Sequence, residues 1–143
     1  MPVAPTTNQD KIKYLKRYRF LDREISRKVE EVLRLRFNLE KVTAALTPEP
    51  KGGGSIYSKT EAMVAKVVDL EAEINADVDR LFAIRKDIEA AIEAVEDDRE
   101  RLLLQYRYLD GCTFEWIAGD MGYHWRSVHK IHVRALSKIK IGH

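Results

Sequence analysis

Residues 113–136 read TFEWIAGDMGYHWRSVHKIHVRAL, and the spacing within this stretch predicts two short helices joined by a tight turn. Thr113 belongs to the residue types that commonly cap a helix N-terminus, so we predict a helix from there to about Met121. Gly122 then predicts a turn, because glycine adopts a positive φ at little cost. A second helix is predicted over about 124–140.

The apolar positions in this stretch fit a helix-turn-helix motif. Such a motif needs a small residue where its helices cross and apolar residues that hold the second helix against the first. The residues to which we assign these structural roles are Thr113, Ile117, Ala118, Gly122, Val128 and Ile131. An ordinary helical hairpin that binds a protein also tolerates these residues, so this alternative stays open.

The longer stretch from Arg101 to Lys140 contains the elements RY-x-D-G, T-F-x-x-I-A, M-G-Y and V-x-x-x-x-x-R-A-L-x-K-I. On these residues the chain resembles region 4 of sigma-70-type factors. As a whole it resembles sigma-region-4-like proteins of bacteriophages and integrated elements, in the style of the ArpU and RinA late-gene activators. It departs from the family pattern at Trp116, where glutamate usually stands, and at His124, where serine commonly caps the second helix.

This resemblance implies a DNA-binding transcription regulator of phage or mobile-element genes. By analogy with region 4, it would contact a −35-like promoter element and the flap of RNA polymerase. No convincing region 2 is present, so the chain is not expected to be a complete sigma factor. Two alternatives stay open: a DNA-packaging protein like a phage small terminase, and a helical interaction module without specific DNA binding.

A recognition helix presents its first turns to the major groove and its far side to the core. Arg126 is the best candidate for contacting a base, because a guanidinium can bind guanine through two hydrogen bonds. Arg134 and Lys138 are expected to contact phosphates, which position a protein without specifying a sequence. The predicted DNA-binding residues are Trp125, Arg126, Ser127, His129, Lys130, Val133, Arg134 and Lys138.

The net charge of +2 conceals a strong asymmetry along the chain. Residues 61–98 carry 12 acidic and 4 basic side chains, whereas residues 99–143 carry 4 acidic and 8 basic ones. After Asp120 there is no acidic residue, while five Lys or Arg and all four His follow. A basic C-terminal part of this kind attracts a phosphate backbone.

Two long heptad patterns precede the helix-turn-helix. One runs from about Asp10 to Leu46 and the other from about Ser58 to Val95, with TPEPKGGGS between them. Heptads with apolar a and d positions predict helices packed along one another, and the Pro- and Gly-rich stretch predicts a flexible turn. The predicted fold is therefore all-α, with a long antiparallel coiled-coil hairpin followed by the sigma-region-4-like helix-turn-helix. The predicted domains are a flexible tail 1–9, a hairpin 10–96 with its turn at about 47–57, and a DNA-binding domain 97–143.

Each predicted hairpin helix has one charged residue within its otherwise apolar seam, Lys28 in the first and Asp77 in the second. Both lie at similar distances from the turn, so we expect them to pair across the hairpin and to set its register. The alternative is that each side chain reaches water independently.

The sequence contains no pattern that predicts catalytic residues, a cofactor site or a metal site. Cys112 is the only cysteine and has no His–Asp arrangement around it, while His124, His129 and His132 lack a carboxylate or thiol that completes a zinc site. A single cysteine and the absence of a long apolar run favour a cytoplasmic protein without a membrane span. The expected partners are double-stranded DNA, RNA polymerase and a second copy bound through the hairpin.

Overall fold

The computed structural model describes residues 6–45 and 53–141, and all regular structure in those ranges is helical. The elements are α1 (Asn8–Ala45), α2 (Gly53–Glu93), α3 (Asp98–Leu104), a π-helical turn (Gln105–Leu109), α4 (Phe114–Met121) and α5 (Trp125–Lys138). The predicted all-α class is thus confirmed. None of the described helices combines the length and apolar character that crossing a membrane requires.

The first helix starts earlier than the sequence pattern predicts. The Thr7 amide donates to Asp10 Oδ2 at 3.0 Å, and the Asp10 amide donates to Thr7 Oγ1 at 3.1 Å. This reciprocal cap satisfies amides that a helix N-terminus otherwise leaves unpaired. The predicted flexible tail 1–9 is therefore wrong at residues 8 and 9, which are helical, while residues 1–5 lie outside the described part.

The predicted turn at about 47–57 is also corrected on its C-terminal side. Residues 46–52 lie outside the described part, but α2 already begins at Gly53. Glycine is a poor helix former rather than an impossible one, since it costs only about 1 kcal/mol relative to alanine. The glycines at 53 and 54 therefore extend the helix instead of ending it.

The described chain forms two compact units, which do not follow the predicted boundary between residues 96 and 97. One unit comprises residues 22–80, and we call it the hairpin unit. The other combines the chain up to Leu21 with residues 81–143, and we call it the helix-turn-helix unit. Contacts that are distant in sequence define the second unit, so heptad periodicity alone did not reveal it.

In the hairpin unit, α1 and α2 run antiparallel. Val32 of α1 packs with Val67 and Leu70 of α2, and Leu35, Leu39 and Ile74 surround this small core. Lys28 Nζ lies 2.6 Å from Asp77 Oδ2, so the predicted pairing across the hairpin is confirmed.

In the helix-turn-helix unit, two apolar clusters hold five helices together. The first combines Leu15 of α1 and Ile88 of α2 with Leu104 of α3 and Leu136 of α5, all fully buried. The second lies between α3, α4 and α5 and has Leu103, Ile117, Ala118, Val128 and Ile131 at its centre. The last helix thus has one side in the core and its other side exposed to solvent.

Candidate nucleic-acid interface

Helix α4 begins with the predicted threonine cap. Thr113 has extended backbone angles (φ −74°, ψ 158°), and its Oγ1 accepts a hydrogen bond from the Trp116 amide at 3.1 Å. The Trp116 side chain is half exposed and meets the Tyr106 ring edge-on, with 5.0 Å between centroids. The cap is therefore one-sided, because a tryptophan cannot return a hydrogen bond to the Thr113 amide as a glutamate would.

The turn between α4 and α5 is made by Gly122, as the sequence predicts. Its φ of 72° and ψ of 30° lie in the left-handed region, where a Cβ is disfavoured. The amides of Gly122 and Tyr123 both donate to the carbonyl of Ala118, the latter at 2.9 Å. This arrangement ends α4 and redirects the chain within three residues into α5.

His124 caps the N-terminus of α5. Its Nδ1 accepts a hydrogen bond from the Arg126 amide at 3.2 Å, with the backbone extended at φ −67° and ψ 147°. The imidazole thus supplies the cap at the position where the resemblance to sigma region 4 leads us to expect serine. Accepting at Nδ1 requires that this nitrogen be unprotonated.

The six residues with predicted structural roles lie where the motif requires them. Ile117 and Val128 are fully buried, and Ala118 and Ile131 are nearly so, all within the cluster between α4 and α5. Ala118 is small where the two helices approach, and Thr113 and Gly122 bound α4 on either side. These residues thus form the cap, the turn and the buried contacts between α4 and α5.

The outward side of α5 carries the predicted DNA-binding residues. Those that are exposed to solvent are Trp125, Arg126, His129, Lys130, Val133, Arg134 and Lys138, and Ser127 is half buried. The helix contains no acidic residue, so its exposed side is uniformly basic or neutral. Such a surface attracts a polyanion and presents side chains of the types that contact base edges.

Aromatic rings order the first two turns of this surface. The Arg126 guanidinium lies 5.6 Å from the centroid of the Trp125 ring, which also meets the His129 ring edge-on at 5.6 Å. On its inner side, His129 contacts Phe114 of α4 at 4.8 Å between centroids. These contacts reduce the number of rotamers available to His129 and Arg126, so both side chains are partly ordered at the surface.

Lys138, predicted to contact phosphate, already has an ionic partner. Its Nζ lies 2.5 Å from Glu100 Oε2, and the Glu100 side chain is only 8% exposed. The end of α5 is held further by Lys11, whose Nζ donates to the Leu136 carbonyl at 2.8 Å. Lys138 is thus a structural residue, and its contact with phosphate stays a prediction.

Arg107 is a cation beside α5 that the sequence did not indicate. Its guanidinium lies 4.2 Å from the Phe114 ring centroid and donates to the Cys112 carbonyl at 3.1 Å. No local spacing rule marks this position, because the contact depends on how the π-helical turn is packed against α4. Arg107 adds positive charge next to Phe114, the ring that contacts His129.

His132 lies on the buried side of α5. Its Nε2 and the Tyr108 hydroxyl form a hydrogen bond of 2.7 Å. Burial, with a smaller contribution from nearby Arg107, lowers the pKa of His132 to about 4, and burial raises the pKa of Tyr108 to about 12. Both groups are therefore neutral at physiological pH, which a buried pair in an apolar cluster requires.

Within the described ranges, no three His, Cys, Asp or Glu side chains converge in a way that could hold a metal ion. No protein-family model, no curated protein and no solved structure matches the chain.

Proposed function

We propose that this chain is a sequence-specific DNA-binding transcription regulator of phage or mobile-element genes that acts in the manner of sigma region 4. One observation carries the proposal: the exposed side of α5 is basic and aromatic, contains no carboxylate, and is held by a packed helix-turn-helix core. A recognition helix must be packed firmly against its domain and must expose its outer side to solvent, and α5 meets both conditions.

Within this proposal, Arg126 in the first turn of α5 contacts guanine in the major groove. Ser127, His129 and Lys130 bind a base edge or a phosphate, and Trp125 and Val133 provide apolar contact to sugars or thymine methyl groups. Arg134, one turn further along, binds a phosphate and fixes the register of the helix on the duplex. RNA polymerase is proposed as a second partner on the strength of the resemblance to region 4.

The experiment is a binding titration of the full chain against fragments of its own genomic neighbourhood at two salt concentrations. We expect tight binding to one upstream fragment. Arg126→Ala is expected to reduce the preference for that fragment over random DNA about 5- to 150-fold, which corresponds to about 1–3 kcal/mol of base discrimination. Arg134→Ala is expected to weaken binding to all fragments alike and to reduce the salt dependence.

The matched control is Lys59→Ala, which removes an exposed cation from α2 in the hairpin unit. This variant is expected to bind as the unchanged chain does. If binding is weak for all fragments, is lost at the higher salt concentration and is the same in all variants, the result contradicts sequence recognition. It would then favour the helical interaction module. A complex of eight or more copies would favour the packaging protein instead.

A further inference from the structure

The hairpin unit lacks a deeply buried core. Its most buried side chains, among them Val32, Val67 and Leu70, remain 7–9% exposed. Every fully buried large side chain in the described ranges belongs to the helix-turn-helix unit. Two helices by themselves bury only one stripe each, and helices in water depend on packing for most of their stability. A further layer of helices against the hairpin unit would complete its burial.

The hairpin unit also has a second apolar surface, outside its seam. On α1, Val29, Leu33 and Phe37 follow one another at intervals of four residues, and Val64 and Val68 do so on α2. Leu33 and Val68 are each 60% exposed and Phe37 is 57% exposed. Residues four apart lie on one side of a helix, so each set forms a continuous stripe.

The two stripes lie on the same face of the hairpin unit. An ion pair joins Arg36 of α1 to Glu71 of α2 across the helices. Arg36 lies three residues after Leu33, and Glu71 lies three residues after Val68, so each is on the same side as its stripe. A second ion pair joins Glu31 of α1 to Lys66 of α2 at 2.8 Å. These two residues lie on the opposite edge of the seam from Arg36 and Glu71.

We infer that this face, defined by Val29, Leu33, Phe37, Val64 and Val68, binds the same face of a second copy of the chain. Its apolar residues on α1, from Val29 to Phe37, span about 12 Å at 1.5 Å per residue, within the length of about 36 Å that residues 22–45 provide. Two helices 8–10 Å apart make a strip about 20 Å wide. Covering the whole length, with the apolar residues at the centre and polar residues at the rim, would bury about 700 Å² per copy, close to the ~800 Å² that a stable interface buries on each partner.

The shapes of the two stripes favour a second copy as the occupant. The α1 stripe is made of large side chains, whereas α2 presents Val64 and Val68 with the exposed alanines Ala65 and Ala72 beside them. A twofold arrangement that sets α1 of one copy against α2 of the other places large side chains over small ones in both halves at once.

Charge favours the same arrangement. Residues 53–80 of α2 carry six acidic and three basic side chains, while residues 22–45 of α1 carry five acidic and six basic ones. Packing α2 against α2 would bring two acidic segments together, whereas packing α2 against α1, whose charges nearly balance, avoids this repulsion. The acidic character of α2 also disfavours DNA as the occupant of this face.

The test is the mass of the full chain in solution, measured by light scattering after size exclusion, without DNA. We expect twice 16.6 kDa for the unchanged chain and 16.6 kDa for Leu33→Glu with Val68→Glu. Phe37→Ala, which adds no charge, is expected to weaken the dimer at least tenfold. The control Ala62→Glu adds one carboxylate, as each of those two substitutions does, at an exposed position of α2 away from the stripe, and is expected to remain dimeric.

An unchanged chain that is monomeric at every concentration, or a dimer that both stripe variants leave intact, would overturn this inference. So would a larger assembly that does not depend on the stripe. Because DNA is absent from the measurement, its result stands apart from the DNA-binding proposal. A monomer that still prefers one DNA fragment would overturn the dimer alone, and a dimer without DNA preference would overturn the proposed function alone.

Discussion

Lys28 and Asp77, 49 residues apart in the chain, form a direct hydrogen-bonded ion pair of 2.6 Å inside the seam of the hairpin unit. The Asp77 side chain is 11% exposed and the Lys28 side chain 26% exposed. The hydrogen bond to Asp77 raises the pKa of Lys28, with Glu73 contributing from 3.8 Å. Asp77 has a second cation, because Arg80 Nη1 lies 3.5 Å from its other oxygen. A charged layer thus interrupts an apolar seam at one register position.

The first prediction concerns this layer. Lys28→Met leaves a buried carboxylate with only Arg80 as its partner, so we expect the thermal midpoint to fall by several degrees. Combining it with Asp77→Leu restores an apolar layer, and we expect the double variant to recover much of the loss. Thermal unfolding followed by circular dichroism measures all four proteins of the cycle. Single effects that add up in the double variant would show that the two residues act independently.

The second prediction concerns the end of α5. Lys138→Ala leaves the buried Glu100 carboxylate without its ammonium partner, so we expect a loss of about 1–3 kcal/mol in the free energy of unfolding. Arg134→Ala removes an exposed cation from the same helix, and we expect a change within about 0.5 kcal/mol. Urea unfolding of the two variants makes the comparison. Equal stability of the two variants would contradict a structural role for Lys138.

The third prediction uses two glycines three residues apart. Gly119 lies inside α4, where an added Cβ meets no atom within 4 Å, so Gly119→Ala is expected to stabilise the fold by about 0.5–1 kcal/mol. Gly122 has a φ of 72°, so Gly122→Ala is expected to destabilise it by about 1–2 kcal/mol despite equally open space. Denaturant midpoints of the two variants must move in opposite directions. A shift of both in the same direction would contradict the turn geometry.

The fourth prediction follows from the buried imidazole of His132, whose pKa of about 4 lies below the ordinary value of 6.5. Below pH 6.5 the unfolded chain binds a proton that the folded chain does not, so acid favours unfolding. The contribution of neutral His132 to the free energy of unfolding is therefore fully present above pH 6.5 and decreases as the pH falls towards 4. At up to about 1.4 kcal/mol per pH unit, the loss between pH 7 and pH 5 is about 2 kcal/mol.

The comparison protein carries His132→Phe together with Tyr108→Phe, which removes both partners of the buried hydrogen bond and leaves no polar atom unpaired. Between pH 7 and pH 5, its free energy of unfolding is expected to fall by ~2 kcal/mol less than that of the unchanged chain. Carboxylates with a lowered pKa, such as Asp10 and Asp97, are common to both proteins and cancel in the difference. Parallel stability curves would contradict the neutral state of His132.

Local signals predicted a large part of this fold. Heptad periodicity revealed two long helices, and Thr113 and Gly122 marked the limits of α4 because capping and positive φ are properties of single residues and their neighbours. The alternation of inward and outward positions on α5 followed from helical periodicity as well. The charged pair Lys28–Asp77 could be predicted because an antiparallel hairpin relates two positions through their distance from one turn.

Other features depended on tertiary structure, since they join residues that no local rule relates. Lys138 was assigned to phosphate because a surface lysine near a recognition helix looks free in sequence, yet Glu100, 38 residues away, accepts its hydrogen bond. The hydrogen bond of His132 to Tyr108, 24 residues away, is likewise not indicated by any local pattern. The sequence by itself determined the helices, their order and the motif, through propensity and periodicity. Only the tertiary structure decided the two compact units and which charges remain available, because burial and ion pairing depend on the contacts that folding brings together.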